Sequence, residues 1–191
     1  AQAAEWQGRA FGADVALSLS GPGADATLLK LPAFLAQIES VFSLYQPSEL
    51  TTLNTTGHAK PSPWLAQALG ICDRLHPLTH GAFDPTVQPL WQALAYGENS
   101  FAKQSLIGWP RVPIGPETRL SQGQALTLNG MAQGFAADLV RAWLAAQGFD
   151  HALVQMGEYA ALGGPFTLGI SDPAAGLLGQ RQLASGRALA A

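Results

Sequence analysis

The chain has 191 residues, 48% of them apolar and 12% charged, with a net charge of −3; this fits one domain, or one with a small lobe, and rules out global disorder. Lys30, Lys60 and Lys103 are the only lysines, so nucleic-acid binding has no electrostatic basis. No apolar run is long enough to span a bilayer, and with Cys72 as the single cysteine no internal disulfide can form.

The N-terminal run Ala-Gln-Ala-Ala-Glu-Trp has no initiator methionine. It fits the product of leader cleavage at a small-residue site, or an arbitrary start. Phe11 to Leu19 alternates apolar and small or polar residues, which predicts a strand closed by Gly21-Pro22-Gly23. A helix follows, with its main body over 32–42, because Pro32 suits a first turn, and with an apolar stripe of Leu35, Ile38 and Phe42. Residues 43–47 are expected to be extended ahead of Pro47. Ser48 then caps a short helix ending near Asn54.

Ser62-Pro63 starts the next helix, with Trp64, Leu65, Ala68, Leu69, Cys72 and Leu75 on one face and an end at Pro77 and Gly81. Gly81 to Trp91 reads as a compact turn leading into a short apolar helix. Residues 95–124 read as loops with short strands near 109–112 and 118–120. Leu126-Thr127-Leu128 reads as the end of a buried strand, Asn129-Gly130 as a turn, and Met131, Phe135, Leu139, Ala142 and Trp143 as a helix ending at the C′ glycine Gly148. Strands follow over 151–156, 159–162 and 166–170; beyond Ile170 the pattern fades. The fold class is α+β: mainly antiparallel sheet, with the helices near 32–42, 64–76 and 131–147 packed on it.

The sharp strand-to-helix turn at 126–138 exposes backbone N–H groups at a helix start, a ready anion site. Gly134 in the first helical turns costs about 1 kcal/mol against alanine, which close approach of a ligand or another backbone would justify. Against this stands a plain strand–turn–helix with a packing glycine. Cys72, His76 and His80 at i, i+4 and i+8 have the spacing of metal ligands, but Pro77 favours a buried cysteine with two helix-end histidines. No Gly-x-Ser-x-Gly, P-loop or Rossmann fingerprint occurs. Asp84 is either an Asx-turn carboxylate or an acceptor for a ligand N–H. Tyr45 is a core aromatic or a platform for a flat ligand. Gln133 and Glu158 each read as a solvated polar residue or a ligand contact.

In order, these segments resemble the FAD:protein FMN transferase (ApbE-like) family. Phe42 to Asn54 resembles its first motif, Gly81 to Trp91 its second and Leu126 to Asp138 its third, where many members carry Lys or Glu in place of Gln133. Gly157-Glu158 stands where many have Gly-Gly-Asp, and Thr127 to Gly134 with Met156-Gly-Glu158 is most similar to the NosX-like branch, linked to nitrous oxide reductase maturation.

The resemblance implies an exported, periplasmic α+β protein, a single domain over 1–191, with a lipid anchor in the precursor. Its reaction is Mg²⁺-dependent transfer of FMN from FAD to a threonine hydroxyl of an acceptor protein, releasing AMP. By carry-over, Phe11 and Tyr45 pack on the flavin, and Ala82, Phe83 and Asp84 contact its ring edge or ribityl chain. Thr127 and Gln133 also touch FAD, and the Gly130 carbonyl ligates Mg²⁺. The resemblance further implies that the C-terminal part of the family fold, with an Asp and a Thr that complete the metal site, lies outside this chain. The alternative is a non-catalytic FAD-binding accessory protein for respiratory or nitrous oxide reductase maturation.

Overall fold

A computed structural model describes residues 3–190; Ala1 and Gln2, where the leader-cleavage expectation falls, and Ala191 lie outside them. The described residues form two compact units, one of residues 3–37 with 133–190 and the other Ile38–Ala132.

The first unit is built on a five-stranded antiparallel sheet of β1 (Ala4–Ala10), β2 (Ala13–Ser20), β5 (His151–Gln155), β6 (Glu158–Leu162) and β9 (Ala188–Ala190), in the order β1-β2-β5-β6-β9. Register explains the core. Leu17 pairs with Val154 and Val154 with Ala160, so one row of buried side chains crosses three strands on one face. Leu153 pairs with Ala161 on the opposite face. There Ala161 packs with Leu168 and Leu183 of a separate hairpin, β7 (Phe166–Asp172) and β8 (Gly176–Leu183). Each such leucine contributes roughly 1.5–3 kcal/mol on burial.

This unit also holds α1 (Ala24–Leu28), the start of α2 (Leu31–Phe42) and nearly all of α6 (Ala132–Ala146). Phe34 and Trp143 stack at 4.9 Å, tying α2 to α6. At the end of α6 the N–H of Phe149 donates to Leu144 O and that of Gly148 to Ala145 O, a Schellman motif with Gly148 at φ 90°.

The second unit contains the rest of α2, α3 (Glu49–Thr56), α4 (Pro63–Leu78), α5 (Gln88–Ala95) and the two-residue ribbon β3 (His58–Ala59) with β4 (Thr118–Arg119). Ser48 heads α3 in a capping box with Thr51. Ser62 caps α4 with Pro63 in its first turn. Leu50, Leu53, Leu65, Leu69, Cys72, Trp109, Leu126 and Leu128 are buried in this unit.

The α+β expectation and its antiparallel pairing hold. Several local expectations do not. Phe11 lies in the β1–β2 turn at φ 55°, ahead of Gly12 at 73°, and β1 precedes it; the alternation continues through a tight turn and hides the break. Residues 44–47 bend, because Ser43 Oγ accepts the N–H groups of Tyr45 and Gln46. Residues 109–111 form a 3₁₀ turn in place of a strand. The helix α4 continues through Pro77 to Leu78. Ala142 of α6 faces solvent, while Ala136, Val140 and Leu144 are buried. The hairpin β7–β8 and β9 fill the stretch where the pattern fades, for β8 is exposed at nearly every position and has no apolar alternation to show.

Candidate functional site

Within the second unit the first three motifs meet along Leu126–Gly130. This segment is not a strand. Its backbone is satisfied by distant groups instead. Asn54, at the end of α3, donates from Nδ2 to Leu126 O at 2.8 Å and accepts the Leu126 N–H on Oδ1 at 2.7 Å. The Thr127 N–H donates to Pro85 O at 2.8 Å. Thr127 Oγ1 accepts the Asn129 N–H at 3.2 Å and closes the turn. At Gly130 a Cβ would sit 3.3 Å from the Phe83 ring, so glycine lets this turn lie against the second motif.

Asp84 is 9% exposed and forms the hub of the second motif. Its Oδ1 accepts the Thr86 N–H at 2.8 Å and the Thr86 hydroxyl at 2.5 Å, and its Oδ2 accepts the Trp109 N–H at 3.1 Å. The Thr86 hydroxyl oxygen accepts the Gly108 N–H at 2.7 Å. One carboxylate therefore pins the 108–109 loop to the 3₁₀ turn Pro85–Val87, in which Asp84 is the N-cap. His76 Nδ1 stands 2.9 Å from Phe83 O, so this nitrogen carries the proton and donates. The other Asp84 possibility, a ligand contact, draws on lone pairs these bonds leave over.

Tyr45 is 72% exposed on its bend. Ala82 and Gly130 are exposed, and Phe83 and Thr127 are half-buried. Phe11 and Gln133 belong to the first unit, both half-buried. The third motif thus runs across the division, giving Leu126–Ala132 to one unit and Gln133–Asp138 to the other.

In the first unit the start of α6 meets the β5–β6 turn. A Cβ on Gly134 would lie 2.6 Å from Glu158 Oε2. The close approach expected at Gly134 is therefore made by a side chain of the protein. A Cβ on Gly157, at φ 78°, would lie 3.0 Å from Gln133 Oε1. Sequence singled out these four residues but not their mutual contact.

Cys72, His76 and His80 form no ligand set. Cys72 is buried and His76 is committed to Phe83. Burial pushes the Cys72 thiol up to about 12. Among the described residues no group of three or more His, Cys, Asp or Glu is placed to hold a metal ion. The side chains described do not fit Mg²⁺, which favours carboxylate oxygens, because no such group of them stands together.

A family model described as the ApbE family matches residues 11–191. The chain belongs to the ApbE family. Its fold is similar to that of the apo flavinyl transferase ApbE of Pseudomonas stutzeri (TM-score 0.82, 23% identity, 96% of this chain and 66% of that one). It is similar also to the ApbE protein of Thermotoga maritima (0.83, 21%, 97% and 69%) and the flavin transferase ApbE of Vibrio cholerae (0.81, 21%, 94% and 68%). The chain spans about two thirds of the length of each of these ApbE structures. No curated protein matches the sequence.

Proposed function

We propose that this chain is a flavin transferase, which binds FAD and moves its FMN part onto a threonine hydroxyl of an acceptor protein. The observation that carries this is the joining of three motifs at Leu126–Gly130 in a chain of the ApbE family. In the reaction the threonine oxygen bonds to the FMN phosphorus, the bond from that phosphorus to the AMP oxygen breaks, the hydroxyl proton is released and AMP leaves. Such a substitution is promoted by alignment and by charge stabilisation at the phosphates.

On this proposal the exposed Tyr45 ring and Phe11 offer flat surfaces for the flavin. Ala82 and Phe83 line its edge, and Thr127 and Gln133 supply neutral polar contacts. Backbone N–H groups at the start of α6 suit a pyrophosphate. Asp84 contributes chiefly by holding the second motif in shape. Mg²⁺ dependence is part of the proposal, and the group of this chain offered to the ion is the Gly130 carbonyl.

Incubation with FAD, Mg²⁺ and an acceptor domain bearing the threonine tests this. A fluorescent acceptor band is expected; none, beside a longer family member that works in parallel, overturns it. One other reading is a non-catalytic FAD-binding accessory protein for respiratory or nitrous oxide reductase maturation, which needs no metal ligands from the side chains described. Binding of FAD without AMP release after Mg²⁺ addition would select that reading.

A periplasmic location and a lipid-anchored precursor are proposed with the transferase from the family resemblance alone, and the NosX-like branch from the Thr127 to Gly134 and Met156 to Glu158 wording. Fractionation of cells making the gene product checks the first two. Loss of nitrous oxide reductase maturation on deletion checks the third.

A further inference from the structure

We infer that Gly157 and Glu158 form a positioning element that fixes the Gln133 carboxamide for its ligand; this rests on the FAD-binding proposal above. At Gly157 the place a Cβ would take lies 3.0 Å from Gln133 Oε1, 3.5 Å from its Cδ and 3.7 Å from its Nε2. All three atoms of the carboxamide thus lie across the bare face of this glycine. At Gly134 the corresponding place lies 2.6 Å from Glu158 Oε2 and 3.5 Å from its Cδ.

The two contacts are reciprocal. Residue 133 reaches over 157, and 158 reaches over 134, so neighbours on the helix interlock with neighbours on the turn. At each crossing a Cβ would make the crossing side chain shift. Gly157 is also held at φ 78°, where an L side chain is strained.

The chemistry of the two side chains differs in a useful way. The carboxamide has two donors and an acceptor, and it serves a ligand only when its plane is set. The Glu158 carboxylate beside the first turn of α6 is favoured there by the helix dipole. It fills the space next to Gly134 and leaves the carboxamide its seat on Gly157. A glutamine free to rotate would lose several rotamers on binding, and the glycine seat removes that cost beforehand.

The test is a double-mutant cycle on FAD affinity with melting temperatures recorded throughout. Gln133→Ala and Gly157→Ala should each weaken FAD by about fivefold, and together by little more than either alone, as for groups in direct contact. Because Gly157→Ala is strained, Gly134→Ala supplies a second arm. It displaces the end of a flexible glutamate and improves helix propensity, so its melting temperature should hold or rise while FAD affinity falls. Additive losses in the cycle, or wild-type affinity in Gly134→Ala, overturn the positioning role while leaving the FAD contact intact. Wild-type affinity in Gln133→Ala overturns the contact itself.

Discussion

Asn54 grips the Leu126 peptide from both sides, its amide donating to the carbonyl at 2.8 Å and accepting the N–H at 2.7 Å. A side chain here does what a neighbouring strand would do, and so the Leu126 peptide is satisfied without belonging to a sheet. Removing the amide as Asn54→Ala orphans both groups of a buried residue and should cost about 2–4 kcal/mol. Denaturant unfolding measures this. A change below about 0.5 kcal/mol, the range of ordinary surface substitutions, would show that water replaces the amide at no cost.

Asp84 separates the fold from the ligand. Loss of its bonds to Thr86 and Trp109 in Asp84→Ala should destabilise by about 2–4 kcal/mol, as for a broken buried network. FAD affinity extrapolated to fully folded protein should change less. An unchanged melting temperature with lost FAD binding would instead assign the carboxylate to the flavin.

Tyr45 gives the converse case. Because it is 72% exposed, Tyr45→Ala should alter stability by no more than about 0.5 kcal/mol. If its ring stacks on the isoalloxazine, FAD should weaken by about 0.5–1.5 kcal/mol, measured by quenching of flavin fluorescence. Equal affinity in both proteins would remove Tyr45 from the site.

Cys72 supplies the pH prediction. Its folded-state pKa is raised, to about 12, by burial, above the ordinary thiol value of about 8.5. Between these values the unfolded chain loses the thiol proton and the folded chain keeps it, so the unfolded state binds fewer protons. This contribution is whole below the ordinary thiol pKa and is lost as pH rises toward 12. Cys72→Ala should remove that alkaline slope, visible as a flatter dependence of unfolding free energy on pH. In the native protein the thiol should resist alkylation at pH 8 until the chain opens; rapid labelling would contradict its burial.

Local chemistry wrote part of this molecule directly into the sequence. Ser48, Ser62-Pro63 and Gly148 mark helix ends because caps and C′ glycines act within a few residues. The ordered motifs likewise carried family and fold class, since side-chain identity at fixed spacing is all a motif needs. Tertiary structure alone decided the rest. Phe11 became a turn because β1 pairs back onto β2, and Leu126–Leu128 belongs to no sheet, its peptide groups bonding to Asn54 and Pro85 instead. Gly134 proved to make room for Glu158. Sequence showed that a side chain was missing at Gly134, but what fills the space comes from residues far along the chain, and only folding brings them there.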